Sequence, residues 1–183
     1  MTEVVRLTLV SAAMTDAMVA GRFPVDEPLN DLGRRQVEAV AAAEIAGDTR
    51  QFAGPEQRTR QTAELLGLRA ATEPRLADLD CGRWRGEALA NIGPSDLDAW
   101  LTEPAQAPHG GESIVDLVER VAGWLDSLAD NSLRIVAVTH PAVIRAAILT
   151  ALDIPPESFW RIDVAPVGRV VMHLRNDRWT LRL

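Results

Sequence analysis

A chain of 183 residues with 47% hydrophobic content can bury one sizeable core but not two generous ones, so a single domain over residues 1–183 is expected. Its 26 acidic residues against 19 basic ones give a net charge of -7, which excludes a non-specific binder of nucleic acid or of an anionic membrane; any affinity for phosphate must come from a local cluster of arginines. A single cysteine makes no intrachain disulfide, no Cys/His spacing suits a metal, and no apolar run approaches the length of a membrane span, so a soluble, unprocessed, cytoplasmic protein without metal or cofactor is expected.

Val4 to Val10 reads as a strand by its β-branched, mostly apolar makeup, and it stops abruptly at Ser11-Ala12-Ala13-Met14-Thr15. Arg22 to Asn30 carries two prolines and no period and is loop; Asp31 then caps a helix to about Ala46. Gln51 to Ala53 is a short strand, Gly54-Pro55 breaks the chain, and Glu56 to Leu66 is a helix closed by Gly67, with Arg58 near its amino end. Ala70 to Glu73 is another short strand, followed by a loop from Asp78 to Gly86 and a helix over about Pro94 to Leu101. Thr102 to Gly111 holds two prolines and two glycines, the mark of an exposed loop, and His109 within it reads as solvated. Ser113 to Ala129 is a strongly amphipathic helix, with Ile114, Leu117, Val118, Val121, Leu125 and Leu128 on one face.

The stretch from Leu133 to Arg145 organises the rest. Ile135 to Val138 is a continuous apolar run typical of a strand buried on both faces, and Thr139-His140 follows at once. Pro141 then suits the first turn of a helix reaching about Leu152. His140 is therefore expected at a strand's carboxyl end beside a helix amino terminus, the place where open α/β sheets bind ligands and where an anion is favoured; a histidine that merely caps the helix is the plainer alternative. Phe159 to Val164, Arg169 to Leu174 and Trp179 to Leu183 read as strands, the last two joined by a hairpin across Asn176-Asp177, with His173 structural. The five tryptophans are expected in the core and in loop packing, since no basic stripe accompanies them. The alternation implies an α/β fold: a three-layer α/β/α sandwich with a mainly parallel sheet and an antiparallel C-terminal edge. The break after Val10, the helix start with Arg58 and the break at His140 can then face one pocket, which Asp78 could join unless it is a plain surface carboxylate.

These residues carry a resemblance. The chain resembles the histidine-phosphatase superfamily, the phosphoglycerate-mutase-like enzymes. Their pattern is a strand ending in Arg-His-Gly-Glu-Thr, an Arg-Phe loop with a later Asp-x-Pro-Leu, and an Arg-x-x-Gln-Thr-Ala helix. A Leu-x-Glu-x-x-x-Gly-x-Trp loop, a Gly-Glu-Ser helix start and a strand ending in Thr-His follow. Here these are Leu7 to Thr15, Arg22-Phe23 with Asp26 to Leu29, Gly33 and Gln36, Arg58 to Ala63, Leu76 to Gly86, Gly111 to Ser113, and Val138 to Arg145. The resemblance implies a phosphate-monoester phosphatase working through a phosphohistidine. It makes Arg58 a phosphate clamp, Asp78 a general acid whose pKa would have to be raised, and His140 the second pocket histidine. Ser11, Thr15 and Arg22 are expected with Arg58 as substrate-binding positions. The ligand implied is a small-molecule phosphate ester, with a homodimer left open, and a phosphatase fits better than a mutase because the chain is short and has no long insertion.

One departure stands out. The family's Arg-His-Gly-Glu-Thr is here Ser11-Ala12-Ala13-Met14-Thr15, so the resemblance puts the nucleophile's position at Ala12 and the first clamp arginine's at Ser11. Arg85 replaces a common glutamate, and Met18 a common pocket asparagine. A non-catalytic phospholigand-binding or regulatory pseudoenzyme, a deliberate His-to-Ala replacement, or attack by another residue would each explain the alanine. The third fares worst: Cys81 has glutamate, not arginine, six positions on, and Asp78-Leu79-Asp80 follows no convincing central strand.

Overall fold

The structure is a computed structural model that describes residues 4–40, 50–128 and 134–183. Among the described residues six strands, β1 (Val5–Ser11), β2 (Arg50–Ala53), β3 (Ala71–Thr72), β4 (Arg134–Thr139), β5 (Arg169–Arg175) and β6 (Arg178–Arg182), form one sheet in the order β3-β2-β4-β1-β5-β6. The first four run parallel, while β5 pairs antiparallel with β1 and β6 antiparallel with β5. Helices cover both faces, so the sheet is mixed, mostly parallel, with the antiparallel edge expected from the sequence.

Period-two alternation decides which side chain goes to which layer. Leu7 and Leu9 of β1 and Ile135 and Ala137 of β4 share one core with α5 (Ile114–Asp126) and α6 (Pro141–Ala151). Val10, Val136 and Val138 point the other way, into a second core with Val37 of α2 (Asp31–Val40) and Ala63 of α3 (Gln57–Leu65). Since β4 is buried at every position after Arg134, its run of apolar residues is explained by cover on both faces. Two further helices, α1 (Asp16–Val19) and α4 (Pro94–Thr102), belong to the loops above the carboxyl ends of the strands.

Local chemistry sets the element ends. Ser113 caps α5 reciprocally: its Oγ accepts from the Asp116 amide at 3.0 Å, while the Asp116 carboxylate accepts from the Ser113 amide at 3.2 Å. Asn176 and Asp177 both have positive φ, 48° and 58°, the backbone of the two-residue hairpin that joins β5 to β6. The helix expected from Asp31 is instead capped by Asn30, whose Oδ1 accepts from the Gly33 amide at 2.9 Å; its expected end near Ala46 lies outside the described residues, as do Ala129 and Leu133.

Two further expectations are corrected. Phe159 to Val164 is not a strand: Pro156–Arg161 forms a 3-10 helix with Pro156 in its first turn and Phe159 fully buried. The fixed φ of Pro156 starts the turn, and the aromatic residues that mimic a strand are there to pack. His109 is not solvated, because only 1% of it is exposed. Its loop folds inward, with the ring edge-on to Trp84 at 5.1 Å and Nδ1 accepting from the Gly111 amide at 3.0 Å.

Candidate functional site

Register brings three strand ends together. Ser11 of β1 pairs with Thr139 of β4, and Ala53 of β2 with Val138. The next residues continue the ladder: the Ala12 amide donates to the Thr139 carbonyl at 2.8 Å, and the Gly54 amide to the Val138 carbonyl at 2.9 Å. Ala12 and His140 are therefore neighbours at the sheet's carboxyl edge, and the chain from Gly54 leads directly into α3 and Arg58. Thr139, fully buried, fixes the fourth segment by donating its hydroxyl to the Leu76 carbonyl at 2.8 Å, two residues before Asp78.

The charged groups there form one connected network. Arg58 donates from Nη1 to the Val25 carbonyl at 2.8 Å and pairs through Nη2 with Asp78 Oδ2 at 2.6 Å. That same oxygen lies 3.6 Å from His140 Nδ1. On the other side of the ring, His140 Nε2 is 2.7 Å from Glu56 Oε2, while Glu56 Oε1 accepts from the Asp78 amide at 2.9 Å. Burial opposes the charge on Glu56, but the hydrogen bond and charge of His140 and the Asp78 amide outweigh it and draw the carboxyl down to about 2. An ionised carboxylate only accepts, so Nε2 of His140 carries a hydrogen and Nδ1 faces Asp78.

These residues open on a cavity of about 180 Å³ lined by Ala12, Arg58, Asp78 and His140 together with Met18, Phe23, Trp100, Arg145 and Trp160. Four of the residues singled out in the sequence thus meet. Three do not line it. Ser11 is buried within β1, Thr15 caps α1 by accepting from the Met18 amide at 3.4 Å, and exposed Arg22 donates to the Gly86 carbonyl at 3.1 Å. Cys81 does line it, but burial first, then the charges of Asp78 and Asp80, push its thiol up to about 12, so it supplies no thiolate near neutral pH. The Asp80 carboxylate accepts from the Gly82 amide at 3.0 Å and pairs with Arg85 at 2.9 Å, turned to the neighbouring loop.

The loop that follows β1 is bound tightly although its side chains are small. The Ala13 amide donates to Thr62 Oγ1 at 3.1 Å, the Met14 amide to Gln36 Oε1 at 3.3 Å, and the Met14 carbonyl accepts from the Asn30 amide at 3.2 Å. Gly33 packs so close to Met14 that a Cβ on it would stand 2.2 Å from the Met14 carbonyl oxygen. Above the site runs a ladder of rings. Phe23 meets Trp84 and Trp100 at 5.2 and 5.4 Å, Trp100 meets Trp160 at 4.3 Å, and Trp160 meets Phe159 at 4.8 Å.

Glu56 and Arg145 escape a reading of the sequence. Glu56 stands at the cap position of α3 without capping it, and its partner is 84 residues away. Arg145 could have been found: it lies three residues after Ala142 on α6, one helical face shared by both and open to the cavity.

A sheet order of β3-β2-β4-β1-β5-β6 between two helical layers, with an arginine, a histidine and an acid at the parallel strands' carboxyl edge, is the phosphoglycerate-mutase-like fold of phosphatases. The family pattern of the histidine phosphatase superfamily (branch 1) matches residues 7–183, and the chain belongs to that superfamily. It is 33% identical over 172 residues to a glucosyl-3-phosphoglycerate phosphatase of Mycobacterium tuberculosis, covering 82% of this chain and 76% of the relative. It is 27% identical over 188 residues to phosphoserine phosphatase 1 of Hydrogenobacter thermophilus, covering 95% and 89%. Among solved structures, a mycobacterial glucosyl-3-phosphoglycerate phosphatase in complex with VO3 superposes with a TM-score of 0.84 at 26% identity, over 97% of both chains.

Proposed function

We propose that this protein binds a small phosphate monoester in the cavity at the carboxyl ends of β1 and β4, and that its hydrolytic step is crippled at Ala12. The observation that carries the proposal is Ala12 itself. It is held by the Thr139 carbonyl and lines the same cavity as Arg58 and His140, yet its side chain is a methyl group. The names of the relatives, phosphatases of glucosyl-3-phosphoglycerate and phosphoserine, support a phosphate ester as the ligand class. Phosphoryl transfer is mostly positioning and charge neutralisation, and those parts persist. Arg58 is nearly buried and forked towards the cavity, His140 is fixed by Glu56, and Asp78 lies between them. To hold a phosphate, the Arg58 fork must exchange Asp78 Oδ2 for a phosphate oxygen. That exchange also frees the Asp78 carboxyl to face a leaving oxygen.

What is missing is an atom that attacks phosphorus, and loss of a covalent nucleophile costs on the order of a millionfold in turnover. Hydrolysis of an aryl phosphate should be near background in the native chain and appear in Ala12→His, or in Ser11→Arg/Ala12→His where a second clamp is also needed. Free imidazole should partly rescue the native chain, increasingly as pH rises through about 6.5, and the rescue should vanish in Arg58→Ala. A specific observation favours a second reading. Both Ser11 and Ala12 lack the family's functional groups and both terminal nitrogens of Arg58 are already engaged, as in a module that binds without turning over. Silence of both revertants with vanadate still bound supports that module, and failure of vanadate or phosphate to bind at all sinks both readings.

A further inference from the structure

The cavity is served by two arginines of opposite availability. Arg58 has spent both terminal nitrogens on Val25 and Asp78. Arg145 has spent only Nε, which donates to the Ile162 carbonyl at 2.7 Å; among the described residues its Nη groups hold no hydrogen bond. Its guanidinium is nevertheless fixed in orientation, with Cζ 5.6 Å from the Phe159 ring centroid and 5.5 Å from that of Trp160. A planar fork anchored by one nitrogen and by two aromatic rings loses little freedom on taking a planar anion. Burial pulls the Arg145 pKa below its ordinary value, against the raising influence of Asp163 and Asp78, which marks a cation that has given up water without full compensation.

The wall beside it has a matching character. Phe23, Trp100 and Trp160 line the cavity with Met18 and Ala142. The volume of about 180 Å³ equals some six waters, enough for a single ring with its substituents.

We infer that Arg145 is a specificity-determining anchor, and that the ligand it selects is a flat, apolar acid whose carboxylate sits on the open Nη groups while its ring lies against Trp100, Trp160 and Phe23. The assignment does not need the phosphate reading, because its contacts are on the aromatic side of the cavity and involve neither Ala12 nor His140. It adds to that reading a preference among esters: a phosphate carried on an aryl acid is held at two points, on a plain aryl group at one.

The test uses the full chain and three probes that share one ring: benzoate, benzamide and phenyl phosphate. Binding is read by quenching of tryptophan emission and by calorimetry. Benzoate should bind about tenfold or more tightly than benzamide, the size expected of a charge-assisted pair, and Arg145→Met should erase that preference while leaving benzamide nearly unchanged. Should Arg145→Met fail to fold, Arg145→Lys decides, because a point charge without the fork should cut the preference at least threefold. Equal binding of benzoate and benzamide, or a preference that survives Arg145→Met or is untouched by Arg145→Lys, overturns the inference. Phenyl phosphate reports separately. Its failure to bind beside an intact, Arg145-dependent benzoate preference overturns the phosphate reading and leaves this one standing.

Discussion

The strands β1 and β4 end side by side, one backbone hydrogen bond apart, and the two ends are built by different physics. The β4 end is held by charge: His140 is clasped by Glu56 and faces Asp78, which is itself paired with Arg58. The β1 end is held by backbone. Ala12, Ala13 and Met14 bond to Thr139, Thr62, Gln36 and Asn30, and Gly33 packs hard against the Met14 peptide. The path of this loop therefore does not depend on its own side chains, because its main-chain groups fix it. The same does not hold at β4, where the charged side chains are themselves the scaffold.

If that distinction is right, the largest loss of stability comes from the charged end. Glu56→Ala should destabilise by about 3 kcal/mol, the lower range for breaking a partly buried pair, seen as a lower denaturant midpoint near neutral pH. Because the folded-state pKa of Glu56 lies below its ordinary 4.5, its contribution is whole above about pH 4.5 and disappears as pH falls towards 2. The native chain should lose stability across that window, and Glu56→Gln should lose less. At the β1 end, Gly33→Ala should cost about 2 to 3 kcal/mol, since the Met14 peptide must move to admit a methyl group. This loss should be the same at pH 4 as at pH 7. A Gly33→Ala penalty that shrinks with acid would erase the distinction between the two ends.

Thr62→Val should come next, at about 1 to 2 kcal/mol, because it orphans the Ala13 amide and removes the bond to the Arg58 carbonyl. Chemical denaturation checks it, and a change within error would show that the loop is held by Gln36 and Asn30 alone. The smallest effect belongs to His109. Burial holds its pKa below the ordinary 6.5, with Arg83 adding to this and Asp80 opposing it, so charging it disfavours the folded state. Stability should be level above pH 6.5 and fall modestly below it. His109→Phe should flatten that slope at a cost of about 1 kcal/mol, because the ring already packs on Trp84 but the Gly111 amide loses its Nδ1 acceptor.

Much of this was legible in the sequence, for reasons that also mark where it stopped. Ile135 to His140 and Pro141 announce a buried strand, a polar end and a helix start, and local chemistry alone places His140. The meeting of Ala12, Arg58, Asp78 and His140 follows from strand order, which no single element encodes; the alternation of strands and helices allowed one shared pocket, and the family resemblance gave its residues their roles. Glu56 looks like any acidic residue near a helix start until the sheet brings His140 to it. Phe159 fails for the opposite reason: its aromatic neighbourhood suits a strand locally, and tertiary packing against Arg145 and the core overrides that preference.

The ring ladder has a consequence for motion. Phe23, Trp84, Trp100 and Trp160 come from four separate segments of chain, and each ring touches at least one other. No single rung can leave without stripping apolar surface from its neighbours, so the mouth of the cavity opens as one cooperative unit rather than loop by loop. Amide protons around Phe23, Trp84, Trp100 and Trp160 should accordingly exchange with solvent at a common opening free energy, and one truncation, Trp100→Ala, should speed exchange in all four segments together.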